Sequence, residues 1–564
     1  MGRGLDRRGL IAGTASLAAG ASASGQDFQA MAVASGVGAG TRQILGAGAP
    51  AIGSIAYLSE QGREGFFRCV SGTKPAGDPL DGISFACAAN DRHFSRIWDH
   101  SNGHPEWFGA RPGDGNFDCA DAIEACFALS PVTQLGQVDY FVRRTLVLNR
   151  SWRTMNGSGT QAADNGQGTR IILQGQAPGI HDHDIMLVGS VRQPGSGSES
   201  FVHEIHLANF TLVRDGAVTP HPSGDERRYP TGLRASFVVR ATFRDIASLE
   251  NSIGFYFGGT VYTKVDDCLA QRTRAGSGGG RDLAVGFYLD GSPDYGMAGG
   301  NASLYLSRCL VVGQHAAHVQ PTGLRADGAF VDSFIDHFES AQIDNGIQIR
   351  ARGVTRPTQV VDLHLRNCVL DGCAGNAIEI DLGGVQGASI EIADPYIYAA
   401  AAGGSHGIIL HDGGGLVTVS GGQVHGDFRE GSLLLQRIRG VRVQGLKLHE
   451  GSRPVAVQAS GALQLEPQIS NMTRQTANFA ITAAGMYRSA VRPIVLGSLG
   501  KLAGGVFLDA ECNYCSMDGT AVDPGCFGEV TSARKLWIGG MDATRGAGAA
   551  AFARRNNSII GVIR

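Results

Sequence analysis

Between Gly254 and Leu435 one short pattern returns about every thirty residues: a small residue followed by alternating apolar positions. It reads Gly254-Phe255-Tyr256-Phe257, Gly286-Phe287-Tyr288-Leu289, Ala317-His318-Val319-Gln320, Gly346-Ile347-Gln348-Ile349, Ala377-Ile378-Glu379-Ile380, Gly407-Ile408-Ile409-Leu410 and Ser432-Leu433-Leu434-Leu435. The steps between the small residues are 32, 31, 29, 31, 30 and 25. That is too regular for chance and too loose for a helical repeat, and it constrains the chain to a stacked architecture.

A second ladder runs out of phase with the first, with a polar residue preceding Cys or an apolar residue: Asp267-Cys268-Leu269, Arg308-Cys309-Leu310, Ser333-Phe334-Ile335 and Asn367-Cys368-Val369. Each repeat therefore holds at least two short period-2 runs, neither long enough for a helix. Two or three strands per turn, stacked at about 4.8 Å, make an all-β parallel β-helix of about ten coils in which inward side chains form columns. Cys268, Cys309 and Cys368 are expected in one buried column. The 83 glycines among 564 residues fit a fold that turns several times per coil. A net charge of -3 argues against a nucleic-acid groove.

In chain order, Asp6-Arg7-Arg8-Gly9-Leu10-Ile11 is a twin arginine followed by an uncharged run to Ala23 that ends in Ala21-Ser22-Ala23. Residues 1–23 resemble a bacterial Tat signal, which implies a periplasmic or secreted protein. The run is too short to span a membrane, and no other segment approaches 18 uncharged apolar residues, so no membrane insertion is expected. Residues 24–104 read as a small β-rich module, and Cys69 and Cys87 flank a loop across which they could pair. Apolar residues at 122, 123, 126 and 127 predict a short helix over 118–129 that covers the open end of the first coil, with Asp118 as N-cap. The solenoid itself is expected over 105–484. Insertions at 214–231, 270–283 and 290–303 interrupt its first half and are expected to wall one face. From about residue 485 the period fails, which suggests a separate small β-module over 485–564; there Cys512, Cys515 and Cys526 point to a local disulfide or buried thiols.

The segment Pro105-Glu106-Trp107-Phe108-Gly109-Ala110-Arg111-Pro112-Gly113-Asp114-Gly115, followed by Asp118-Cys119-Ala120-Asp121-Ala122-Ile123-Glu124-Ala125, resembles a motif of the pectate-lyase-like and glycoside-hydrolase-28-related β-helix superfamily, which includes phage tailspike depolymerases. The chain departs from the usual form by inserting Pro112 before Gly113. The resemblance covers about residues 55 to 470. It implies a right-handed β-helix that handles carbohydrate, and it leaves a homotrimer open as the assembly. Fold by itself does not establish catalysis.

Chemistry is sought by coil position. Residues two and four after each small residue should face outward from one sheet: Tyr256 and Tyr288, then Gln348 and Arg350, then Glu379 and Asp381, then His411. Glu379 and Asp381, two residues apart on one strand, should lie roughly 6.5 to 7 Å apart, the spacing of an inverting acid/base pair. Arg350 is expected one coil from Asp381, keeping it ionised. A second band precedes the small residues: His315, Asp344-Asn345, Asn376 and His406. Asp344-Asn345-Gly346 and Ser405-His406-Gly407 resemble the catalytic Asp-Asp and Gly-His-Gly of polygalacturonase-type relatives, with Asn345 and Ser405 as departures. Asn345 and Asn376 also read as a turn-stabilising stack. Asp332, Asp336 and Glu339 form the densest acidic run, and an inward Asp336 would have a raised pKa.

The expected activity is cleavage of glycosidic bonds in a polysaccharide, with Asp344, Glu379 and Asp381 as first catalytic candidates and Asp332, Asp336 and Glu339 next. Arg350, His315, Gln348, Tyr288, Tyr256 and His406 are candidates for binding substrate. A hydrolase with paired carboxylates requires no cofactor. A lyase would use a Lys, Arg, His or Tyr base, with Arg or Ca²⁺ neutralising a uronate carboxylate. The rival class is a non-catalytic glycan-binding or surface-assembly β-helix.

Overall fold

A computed structural model describes residues 38–160, 168–175, 184–190, 201–215, 229–271, 285–291, 301–313, 321–351, 360–401, 403–470, 472, 479–496, 504–508, 512–517, 520–521, 529–530, 534–538, 553–554 and 559–562. The chain divides into two compact units, Met1–Leu135 and Gly136–Arg564. The twin-arginine segment, His315 and most of the three expected insertions lie outside the described residues.

In the first unit, strands Gly38–Gly40, Ile55–Leu58, Gly65–Ser71, Arg92–Arg96 and Ser84–Ala86 lie side by side in that order. Their alternate residues Leu58, Phe67, Cys69, Phe85 and Phe94 share one core. Cys69 and Cys87 are buried free thiols there, not a disulfide. The Trp-Phe-Gly motif forms a 3-10 turn, Pro105–Phe108, closed by Gly109 at φ 97°. Arg63 donates to the Phe108 carbonyl at 2.9 Å, and it occupies the space a Gly109 side chain would need. The helix runs Ala120–Leu129. Cys119 is its formal cap, while Asp118 accepts from the Ala120 amide at 3.0 Å.

The second unit is a parallel β-helix, right-handed as parallel crossovers are. Three sheets run along it. Thr231–Ser236, Ile253–Gly258, Val285–Gly291, Thr322–Gly328, Asn345–Arg350, Asn376–Asp381 and the opening of Gly404–Ser420 pair in parallel succession as the first sheet. Val261–Asp266, Asn301–Ser307, Phe330–Asp336, Val360–Arg366 and Ala388–Ala393 form the second. Leu269–Gln271, Leu310–Val312, Glu339–Ala341, Val369–Cys373 and Tyr396–Ala399 form the third.

The small residue of each repeat is small because coils meet there. A Cβ on Gly254 would lie 2.6 Å from the Gly286 carbonyl oxygen, and one on Gly286 would lie 2.7 Å from that of Gly323. The register puts Leu324 opposite Phe287, so Gly323 holds the small-residue position of this coil; Ala317, expected there, lies outside the described residues. The second ladder shifts likewise. Glu339 pairs with Leu310 and Val369, so Phe338 and not Phe334 lies between Cys309 and Cys368 in the buried column. The polar residues preceding that column, Asp267, Arg308, His337 and Asn367, have φ of 52°, 52°, 50° and 52° and turn the corner between sheets. Cys268, Cys309 and Cys368 are each 1% exposed. Burial pushes the Cys368 thiol up to about 12.

Parallel pairing continues past residue 485. Phe479–Ala484 pairs with Gly504–Leu508, and Asn513–Met517 pairs with Arg534–Ile538. The described strands of that region therefore add further rungs where a separate module was expected. Cys512 and Cys515 are buried, and Cys526 lies outside the described residues.

Candidate functional site

The outward rows of the first sheet change character along the solenoid. In the strands from Thr231 to Gly328 nearly every residue is buried on both faces. From Asn345 onward burial alternates, as a sheet with one open face requires.

In the earlier strands, Tyr256 and Tyr288 do point away from the solenoid core, but they are 0% and 4% exposed. They pack with Tyr229, Ile253 and Val285 as a second apolar cluster outside the sheet. Their hydroxyls are committed: Tyr256 donates to Asp290 at 2.6 Å and Tyr288 to Asp327 at 2.9 Å. Asp327 also receives Arg325 Nε at 3.1 Å and both Nε and Nη2 of Arg350, at 2.7 and 2.9 Å. Substrate-binding roles for Tyr256 and Tyr288 are thereby corrected. Arg350 does stand opposite Asp381 in register, yet these hydrogen bonds take its guanidinium to Asp327, on the coil before.

Other candidates separate spatially. Asp332 lies on the second sheet, exposed and at φ 50°; Tyr262, Ser303 and Asp362 share this conformation at 53°, 53° and 55° in neighbouring coils. It is a corner residue, suited to the left-handed conformation that Asp tolerates. Asp336 shares the outward face of Phe334, where Tyr305, Phe334 and His364 stack at 5.3 and 4.5 Å. Burial alone would raise its pKa, but hydrogen bonds with His337 and Asn367 win and the net shift is downward, opposite to the expectation for an inward Asp. Glu339 is exposed on the third sheet. Asp344 lies in the turn before Asn345–Arg350, where its charge helps raise the Cys373 thiol.

Glu379 and Asp381 come together with a residue that took no leading role in the sequence, His411. Glu379 Oε2 accepts from Gln348 Nε2 at 3.1 Å and from Asn376 Nδ2 at 3.0 Å. Its Oε1 lies 3.6 Å from His411 Nε2, a charge contact longer than a hydrogen bond. His411 Nδ1 is 3.9 Å from Asp381 and 2.8 Å from Asp412 Oδ2. Arg437, one coil on, bonds both oxygens of Asp412. Asn345, Asn376 and His406 form a ladder beside this group: the Asn376 amide donates to Asn345 Oδ1 at 3.1 Å, and His406 Nδ1 lies 2.8 Å from Asn376 Oδ1. The Asn stack thus reaches Glu379 through Asn376.

Electrostatics follow the geometry. The His411 contact, with help from Asn376 and Gln348, holds Glu379 below the usual carboxylate range against the opposing effect of burial. Glu379 and then Asp412 raise His411 despite burial. Arg437 and His411 bring Asp412 down to about 2. His406 is lowered by burial. His411 Nε2 is buried and makes no hydrogen bond among the described residues, so the ring nitrogen that faces Glu379 is left with unmet hydrogen-bonding capacity.

Asp381, His411 and Asp412 each bring one ligand atom within 4.8 Å of the others. This set does not fit the Ca²⁺ that a lyase reading would invoke. Ca²⁺ takes six to eight oxygens, whereas here one donor is nitrogen and Asp412 already holds Arg437. Asp412 and Arg437 were legible in one respect only: each follows the outward residue after a core Leu, in Leu410-His411-Asp412 and Leu435-Gln436-Arg437.

No family model matches the chain, and no curated protein matches it. Among solved structures, it is similar to tailspike protein 3 of bacteriophage CBA120, at 11% identity and a TM-score of 0.48, over 81% of this chain and 64% of that one. It thus spans less than two thirds of that tailspike. It is similar to the A-module of the Azotobacter vinelandii mannuronan C-5 epimerase AlgE6, at 13% identity and a TM-score of 0.36, over 79% and 100%. A third similarity is to PfbA, a surface adhesin of Streptococcus pneumoniae, at 9% identity and a TM-score of 0.35, over 78% and 100%. Among the described residues no helix is long and apolar enough to cross a membrane.

Proposed function

We propose that this chain is an exported enzyme that cleaves a uronate-containing polysaccharide, with His411 as the base and then the acid and Glu379 as the carboxylate that supports it. The observation that carries the reading is the buried, unbonded Nε2 of His411, 3.6 Å from Glu379. Inverting hydrolysis needs carboxyl groups roughly 6.5 to 9.5 Å apart, and retaining hydrolysis about 5 to 5.5 Å. A histidine beside a carboxylate is a different device, a base whose imidazolium the carboxylate supports, and it suits β-elimination. Neutral His411 takes the proton from the carbon beside the uronate carboxylate through Nε2. The electron pair forms the new C=C bond, the C–O bond to the neighbouring sugar breaks, and His411 returns the proton to the leaving oxygen. Glu379, ionised throughout, stabilises the imidazolium formed between these steps.

Incubation with a polysaccharide panel, following new reducing ends and ultraviolet absorbance together, tests this. Both signals should rise on one uronate polymer and vanish in His411→Asn. Reducing ends without absorbance would restore hydrolysis. Glycan binding with neither signal would favour the non-catalytic class. Export and a homotrimer belong to the same proposal; N-terminal sequencing of mature protein and sedimentation check them.

A further inference from the structure

We infer that Asp412 is a positioning residue for His411, whose carboxylate fixes the neutral imidazole as the Nδ1–H tautomer and so makes Nε2 the basic nitrogen. The inference rests on the reading of His411 as proton carrier. An ionised carboxylate accepts hydrogen bonds and has none to give. With Asp412 Oδ2 at 2.8 Å from Nδ1, the neutral ring must keep its proton on that nitrogen. The lone pair is then on Nε2, the buried atom without a hydrogen bond. The opposite tautomer would put N–H toward Glu379 and leave the ring's lone pair on Nδ1, facing the Asp412 carboxylate.

Asp412 is itself held. Arg437 reaches both of its oxygens from the next coil, and the two residues occupy equivalent corners, with φ of 57° and 47°. The register pairs His411 with Gln436, which brings Asp412 and Arg437 into step immediately after it. The groups facing the imidazole are thus Glu379 and Asp381 from the preceding coil, Asp412 from its own strand, and, through Asp412, Arg437 from the following one. Asp381 lies 3.9 Å from the same Nδ1, too far to replace Asp412 as its acceptor.

Asp412→Asn separates this role from simple packing. The amide is isosteric, so a packing role predicts a mild change for Asn and a larger one for Ala. As tautomer control, Asn is at least as damaging as Ala, because its NH₂ can donate to Nδ1 and drive the proton to Nε2. Nitrogen-15 NMR of His411 above its pKa should show Nδ1–H in the native protein and Nε2–H in Asp412→Asn. Activity should fall about a hundredfold to ten-thousandfold. Asp412→Glu should recover part of it. If the native ring carries Nε2–H, or Asp412→Asn keeps Nδ1–H, the inference is wrong. Should Asp412→Asn not fold, Asp412→Ala reads the same nitrogens, and retention of a pure Nδ1–H form would overturn the inference equally. The NMR result stands whether or not a polysaccharide is cleaved, so failure of the enzymatic reading remains distinguishable.

Discussion

Two stretches of one sheet, equal in register and in inward packing, use their outward polar residues in opposite ways. Around Asp327, a carboxylate with 19% side-chain exposure is surrounded by donors: Tyr288, Arg325 and both nitrogens of Arg350. Around His411, with 14% side-chain exposure, carboxylates crowd a ring whose Nε2 is bonded to nothing. Both groups are sheltered. Only the second has an unmet hydrogen-bonding atom, and a buried polar atom without a partner costs free energy unless something uses it. The first cluster fastens neighbouring coils, and the second is the group on which the proposed function rests.

The sharpest way to break this contrast is Glu379→Gln, which should lower turnover about a hundredfold or more while leaving the melting transition near that of the native protein. Wild-type activity in that variant, measured on the polymer identified by the panel, would move the site elsewhere. Asp327→Ala should do the reverse. It removes the shared acceptor of two arginines and a buried tyrosine hydroxyl, and should cost about 3 to 5 kcal/mol of stability in urea unfolding followed by circular dichroism. An Asp327→Ala protein that is stable but inactive would erase the distinction between the regions.

The pH dependence should distinguish them more gently. His411 has a folded pKa raised above its unfolded value, so its contribution to stability is fully present below about pH 6.5 and is lost as pH rises through the folded pKa. Activity needs the neutral ring, so the rate should climb over the same window in which that contribution declines. A rate that falls there would make His411 an acid in the limiting step, not a base. Asp412 and Glu379, with lowered pKa values, act with the opposite sign: their contributions are present above the unfolded carboxylate range and are lost as pH falls below it through the folded pKa values. The smallest expected effect is that of chelation. Since the Asp381, His411 and Asp412 set does not suit Ca²⁺, EDTA should change the rate by less than about twofold. A complete loss restored by Ca²⁺ would show that a bound cation neutralises the substrate carboxylate.

Much of this was legible along the chain, and the exceptions have definite causes. The alternation in Gly346-Ile347-Gln348-Ile349-Arg350 and Ala377-Ile378-Glu379-Ile380-Asp381 assigned inward and outward faces as they occur, because a strand's side chains alternate regardless of what lies nearby. Gly323 and Phe338 hold the positions that spacing assigns to Ala317 and Phe334, because sliding the pattern by six or by four residues keeps a similar local alternation. The inter-coil register that excludes the wrong choice is absent from any single repeat. Tyr256 and Tyr288 were oriented properly and misjudged in exposure, since their burial depends on residues such as Tyr229 that are distant along the chain.

Arg350 shows the boundary most clearly. Asp327 and Asp381 stand opposite it on the two adjoining coils, at equivalent register positions, and the pattern of residues alone does not choose between them. Likewise, outward polarity placed Glu379, Asp381 and His411 on one face, whereas the direction of the imidazole depends on Asp412 and Arg437 meeting at a corner. Spacing and small residues dictate a coil because sterics and pleat act within a few residues. The pairing of charges and the shelter of a nitrogen depend on rotamers and neighbours some twenty-five to thirty residues away, and only the stacked coils bring those together.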